Sequence, residues 1–145
     1  MQIYSIGFTK KSAEQFFELL IDNSVSTLFD VRRNITSQLA GFAKGRDLKY
    51  LLNKVAEINY YHLTEYAPPA ELLKRYRDKE VTWDEYEVIY NAYLDRYFEN
   101  HKIDVTRYEN GVFLCSEHEP TQCHRRLLVE KLKSMFPKIN IKHLV

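Results

Sequence analysis

Short apolar runs that alternate with stretches of helical spacing constrain this chain more than any other feature. Ile3-Tyr-Ser-Ile6, Thr27-Leu-Phe-Asp-Val31, Asn59-Tyr-Tyr-His-Leu63, Gly111-Val-Phe-Leu114 and Asn140-Ile-Lys-His-Leu-Val145 each have the length and the β-branched or aromatic content of a strand. Between the first two, Ser12-Ala-Glu-Gln15 has the spacing of a capping box, and Phe16, Phe17, Leu20 and Ile21 form one apolar stripe that ends at Asn23-Ser24. Leu48, Leu51, Leu52 and Val55 repeat that spacing before the third strand. Strands alternating with helices imply right-handed βαβ crossovers. The expected fold is a three-layer α/β domain with a mostly parallel sheet of about five strands and helices on both faces.

At 145 residues the chain fits one ordinary domain, spanning 1–145, that buries roughly two-thirds of the surface of its unfolded form. It is 45% hydrophobic and 28% charged, and no apolar run approaches the roughly 20 residues of a membrane span. The opening Met-Gln-Ile-Tyr-Ser-Ile-Gly does not read as a secretory signal, so a cytoplasmic protein with no membrane partner and reduced cysteines is expected. The net charge of +1 argues against coating nucleic acid by bulk electrostatics. Yet residues 1–58 carry eight Lys and Arg against six acids, residues 65–109 seven against eleven, and residues 110–145 six against three. Basic ends that adjoin in the fold would gather positive charge.

Two stretches depart from simple alternation. The polar segment from Arg32 to Gly45 is long for a connection and reads as a loop or partly helical excursion, and loops of that length are often functional. A helical insertion opens at Pro68-Pro69 and precedes the fourth strand. Within it, Thr82-Trp-Asp-Glu85 is a second capping box, with Val81 and Tyr86 placed as a hydrophobic staple. Tyr86, Ile89, Tyr90, Tyr93, Leu94 and Tyr97 then mark one face of a helix of about four turns, most simply a core face rather than a base-stacking surface.

The chemistry concentrates between Leu114 and Arg126, where L-C-S-E-H-E-P-T-Q-C-H-R-R holds both cysteines, two of the five histidines and an Arg pair. The segment follows a strand and precedes the apolar stripe of Leu127, Leu128, Leu132 and Met135, so it lies on a strand-to-helix loop, where open α/β sheets bind ligands. In a parallel sheet, whatever follows each strand converges on one edge. That crevice is expected to hold Lys10, Arg32, Arg33, Arg125 and Arg126 with Asp30, Glu65 and Glu117, two thiols and an imidazole.

Pro120 cannot lie in a helix interior and Thr121 suits an N-cap, which places Gln122 to Arg125 in the first helical turn. Free N–H groups, the helix dipole and the arginines would suit an anion, most economically a phosphate. Gly7, Thr9, Lys10, Arg32, Arg33 and Arg125 are the candidate ligand-binding residues, and Asp30, Glu117, Cys123 and His124 the candidate catalytic ones. The competing reading is an ionic latch in which Arg125 pairs with Asp30 or Glu117. Cys123, at a helix N-terminus beside His124 and Arg125, could be a nucleophile, whereas Cys115, closing a buried strand, is more simply a core residue. The spacing C-x2-H-x4-C-H over Cys115, His118, Cys123 and His124 matches no common zinc pattern, and adjacent Cys123 and His124 would diverge on a helix, so zinc is disfavoured. Asp30, Glu65 and Glu117 could bind Mg²⁺ beside a phosphate, or handle protons with His124.

Three segments together carry a family resemblance: Tyr4-Ser-Ile-Gly-Phe-Thr9, Asp30-Val-Arg32 and Leu114-Cys-Ser-Glu-His-Glu-Pro-Thr-Gln-Cys-His-Arg125. The chain resembles the uncharacterised family called domain of unknown function 488, whose members share these patterns over nearly the whole chain. Phe8 stands where a histidine is common in that family, so any role of that imidazole is absent or replaced. The resemblance implies no particular activity. From the residues, two functions remain open: an enzyme acting on a phosphate-bearing small molecule, a nucleotide or a nucleic-acid end, with no cofactor beyond Mg²⁺; or a non-catalytic nucleic-acid- or protein-binding module using the Arg32–Lys49 loop and the Tyr-rich helix.

Overall fold

A computed structural model of the chain describes residues 1–36 and 41–145. Five strands, β1 (Gln2–Gly7), β2 (Thr27–Asp30), β3 (Asn59–His62), β4 (Gly111–Cys115) and β5 (Asn140–Leu144), form one sheet in the order β3-β2-β4-β1-β5, with every pairing parallel. Five helices join them: α1 (Ala13–Asp22), α2 (Gly45–Ala56), α3 (Ala70–Arg77), α4 (Trp83–Asn100) and α5 (His124–Met135). The expected three-layer α/β architecture is the one observed. No helix among the described residues is long and apolar enough to cross a membrane.

The two-residue side-chain period of the strands divides the core. Tyr4, Ile6, Leu28, Val112 and Leu114 face α1 and α2, where they meet Phe16, Phe17, Leu20, Leu48 and Leu52. Ile3, Phe29 and Phe113 face the other way, towards Leu72 of α3, Tyr86, Tyr90 and Leu94 of α4, and Leu128 and Leu132 of α5. β4, central and paired on both sides, is buried from end to end, as a strand covered on both faces must be.

Both capping boxes form as their spacing requires: Ser12 with Gln15, and Thr82 with Glu85. The tyrosine stripe of α4 is core. Tyr86 and Tyr90 are buried, Tyr90 donating to the Tyr66 carbonyl at 2.6 Å and Tyr93 to that of Glu65 at 2.8 Å. Several expectations need adjusting, since Ile21, Ile89 and Met135, placed on apolar stripes by their spacing, are 41%, 37% and 39% exposed. Val55 on α2 is 54% exposed, because Leu48 and Leu52 alone face the sheet squarely. α5 begins at His124, and its N-cap is Cys123 in extended conformation rather than Thr121. The expected Arg32–Gly45 excursion lies partly at residues 37–40, outside the described residues, and includes a 3-10 turn at Gly41–Ala43.

The strand order determines where a cleft can open. The chain steps from β1 to β2 to β3 through α1 and α2 on one face, then returns through α3, α4 and α5 on the other. β2 and β4 are neighbours whose outgoing segments leave in opposite directions. A crevice beyond their carboxyl ends follows from that divergence.

Candidate functional site at the β2–β4 switch point

A cleft of roughly 550 Å³ lies there, within the size range of small-molecule sites. Arg32, Arg33 and Asn34 reach it from the end of β2, and Cys115, Ser116 and Glu117 from the end of β4. Gln122, Cys123 and His124 contribute the start of α5. The opposite wall is the helical insertion, with Lys74, Tyr76 and Arg77 of α3 and Trp83 and Tyr86 of α4. Trp83 and Tyr86 stack with centroids 5.0 Å apart, and Tyr76 packs edge-on to Trp83 at 5.9 Å.

Asp30 and Arg32 form a latch two residues apart. The Arg32 Nε and Nη2 donate to the two carboxylate oxygens of Asp30 at 2.8 and 2.7 Å, the Arg32 main-chain N–H donates to Oδ1 at 3.1 Å, and the Tyr60 hydroxyl donates to Oδ2 at 2.6 Å. Burial, followed by the neighbouring Asp30 charge, pushes the Tyr60 hydroxyl well above its ordinary pKa, so it stays a donor. Asp30 is fully buried and Arg32 only 3% exposed. Arg32 Nη1 is buried without a hydrogen-bond partner among the described residues. The guanidinium lies over the Phe8 ring, 5.3 Å from its centroid, so the position where a histidine is common here supports Arg32 by a cation–π contact.

Arg125 is wholly buried and does something different. Its Nε donates to Ser5 Oγ at 3.2 Å, its Nη1 to the Glu117 carbonyl and to Cys123 Sγ at 3.5 Å, and its Nη2 to the His118 carbonyl at 3.1 Å. The latch expected between Arg125 and Asp30 or the Glu117 carboxylate is instead made by Arg32, while Arg125 holds the β4–α5 loop by its main chain. Gly7 and Thr9 serve the same loop. Gly7 leaves room for the Glu117 carbonyl, which a Cβ would meet at 1.6 Å, and Thr9 Oγ1 donates to the Ser116 carbonyl at 2.8 Å. Ser5 in turn bonds His143 Nδ1 at 2.6 Å; burial first, then the Arg125 charge, pulls the His143 pKa down.

The two thiols and the imidazole converge. Ligand atoms of Cys115, Cys123 and His124 lie within 4.8 Å of one another, all three residues being buried. Cys115 Sγ is 3.5 Å from His124 Nδ1, and His124 Nε2 is 2.8 Å from the Val31 carbonyl. That carbonyl only accepts, so Nε2 carries the proton and Nδ1 faces the sulfurs. A hydrogen bond from Cys123 is the chief cause lowering the Cys115 thiol pKa, helped by Arg125 and by the N–H groups of Ser116 and Glu117 against the opposing effect of burial. Burial pushes the Cys123 thiol well up.

Of the ten candidate residues, Arg32, Arg33, Glu117, Cys123 and His124 line the cleft. Asp30, Gly7, Thr9 and Arg125 lie behind it as the supports just described. Lys10 turns away, lining a separate hollow with Lys11 and His118. Arg126 pairs with Glu130 at 3.1 Å and Glu87 at 3.7 Å outside the cleft. Sequence reasoning missed the α3–α4 wall. Lys74 and Arg77, three residues apart and followed by Trp83, were the available signal.

Fold and cleft together define an all-parallel α/β protein with a basic and aromatic cleft at the switch point of its sheet. The chain belongs to the family described as domain of unknown function DUF488, whose model matches residues 12–132. No curated protein and no solved structure matches it.

Proposed function

We propose that the cleft binds a phosphate-bearing ligand with a planar ring, a nucleotide or the end of a nucleic-acid strand, and that the protein is an enzyme acting on it. The observation that carries this reading is Arg32 Nη1. A buried guanidinium nitrogen without an acceptor among the described residues costs folding free energy that a phosphate oxygen would recover, and its residue lines the cleft. Arg33, Lys74 and Arg77 add positive charge around the same opening, with Glu117 the one acid on its walls among the described residues. Arg33 is partly tied, donating through Nε to the Pro68 carbonyl at 2.8 Å. Trp83 and Tyr76 supply the aromatic edge on which a base would rest. In this reading Glu117, exposed and lining the cleft, exchanges protons with a bound substrate.

The binding-module alternative has less support, because the tyrosine face of α4 is packed into the core rather than offered to a partner.

The test is a titration of isotope-labelled protein with inorganic phosphate, nucleoside monophosphates and a short oligonucleotide, followed by amide and Trp83 indole shifts. Binding that weakens with salt and maps to Arg32, Arg33, Lys74 and Trp83 supports the reading. Arg77→Ala, on an exposed helix face, should weaken it by roughly 5- to 10-fold, the worth of about 1 kcal/mol in one charge-assisted contact. Absence of shifts at these residues with every ligand at millimolar concentration would rule it out.

A further inference from the structure

We propose that Cys115, Cys123 and His124 form a zinc-binding site with its fourth position open to the cleft. The argument begins with the geometry. Zinc bonds of about 2.3 Å to sulfur and 2.0–2.1 Å to nitrogen, at a tetrahedral angle, set those two ligand atoms about 3.6 Å apart. Cys115 Sγ and His124 Nδ1 are 3.5 Å apart, and Cys123 Sγ falls within the same 4.8 Å group. Two thiolates and an imidazole are the donors of a borderline-soft cation and not of Mg²⁺ or Ca²⁺.

The surroundings fit a metal ligand set independently. A metal-binding histidine ordinarily donates its other ring N–H to a carboxylate or main-chain carbonyl, which fixes the tautomer. His124 does so through Nε2 to Val31 at 2.8 Å. Arg125 is wholly buried, and its acceptors are a hydroxyl, two main-chain carbonyls and the Cys123 sulfur, with no carboxylate among them. Its cation lies beside the sulfur that a bound metal would hold as a thiolate, and would offset that charge.

Adjacent cysteine and histidine can share one ion because Cys123 is not helical. Its extended φ of −141° and ψ of 138° turn its side chain back towards Cys115, while His124 starts the helix. Binding Zn²⁺ with both sulfurs as thiolates sends the thiol protons to solvent, leaving the centre formally neutral beside Arg125. All three ligands line the cleft, so water from it completes the tetrahedron.

The full chain, reduced and freed of metal with a chelator, is titrated with Co²⁺ and then Zn²⁺. One equivalent of Co²⁺ should give tetrahedral d–d absorption and a sulfur-to-metal charge-transfer band with the intensity of two thiolates, and Zn²⁺ should displace it. Cys115→Ser and Cys123→Ser should each halve the band and weaken binding by at least roughly 10-fold, the least that losing even a supporting partner costs. His118→Ala, which removes the motif's remaining imidazole, should change nothing, since His118 faces Lys11 and the Thr9 carbonyl. The wild-type spectrum decides the matter even where a serine variant fails to fold. A wild-type protein that gives no charge-transfer band with Co²⁺, or binding that survives His124→Ala and is lost in His118→Ala, overturns the site. No readout involves a nucleotide, so this site stands or falls apart from the cleft's ligand.

Discussion

Replacing Gly7 by alanine tests whether the amino-terminal bend supports the site rather than touching a ligand. The new methyl carbon would lie 1.6 Å from the Glu117 carbonyl oxygen, where ordinary contact begins at 3.4 Å, so the β4–α5 loop must withdraw by about 2 Å. Gly7 has no positive φ, so the penalty arises from this collision and not from backbone conformation. Withdrawal breaks the Arg125 bonds to the Glu117 and His118 carbonyls, each worth about 1.5–3 kcal/mol as a bond from a charged donor. The expected loss is at least about 3 kcal/mol, which lowers the Tm of a chain of this size by about 10 °C. Thr9→Ala supplies the scale. It removes a single 2.8 Å bond to the Ser116 carbonyl from the same loop, worth about 1 kcal/mol. Urea and thermal unfolding measure both. A Gly7→Ala protein within 1 kcal/mol of wild type, or no less stable than Thr9→Ala, would refute the loop-support reasoning.

Other perturbations follow from the same contacts. Asp30→Asn leaves the Arg32 cation buried without its counter-charge and should cost about 3–5 kcal/mol in urea unfolding. Thr82→Ala removes the cap of α4 and should cost about 1 kcal/mol, with hydrogen exchange quickening first in the turn after Thr82. Tyr90→Phe deletes the 2.6 Å bond to the Tyr66 carbonyl in the core and should cost about 1–2 kcal/mol in the same assay. Zn²⁺ at 100 times its dissociation constant should raise the stability of the reduced protein by about 2.7 kcal/mol, and the gain should vanish in Cys115→Ser.

Element identity was legible in the sequence because it is a local property. The short apolar runs, the two capping boxes and, on the α4 stripe, Tyr86, Tyr90 and Leu94 each involve residues close in sequence and formed as read, while Ile89 of that stripe is exposed. What was illegible depended on strand order and on one backbone angle. Nothing local says that β4 inserts between β2 and β1, yet that insertion brings Arg32 to Cys115, while Lys10, in the left-handed region at φ 58°, lines a separate hollow. The two thiols and the imidazole are expected at one edge from the sequence, but that they can surround a single ion is not legible there, because the spacing places Cys123 within the first helical turn. As an extended N-cap it turns back towards Cys115, and Thr121, outside the helix, accepts through its carbonyl from Arg126 Nε at 3.1 Å.

The arginines of the three shared segments divide into two kinds of work, and the division explains why so much charge is buried at one rim. Arg125 faces inward and satisfies main-chain carbonyls of a loop that has no strand or helix to pair with, a use that the planar five-donor guanidinium suits and a lysine does not. Arg32 is held by Asp30, which also accepts from Tyr60, with one nitrogen unpartnered among the described residues. Replacing a buried ion pair with well-packed apolar residues is often neutral or stabilising, so stability is weak grounds for an ion pair at this position. The pair makes sense if its unpaired nitrogen is held in readiness, oriented before any ligand arrives so that binding orders no new side chain. On that view Asp30 is a positioning residue for Arg32, and Asp30→Asn should weaken ligand binding even in conditions where the variant remains folded.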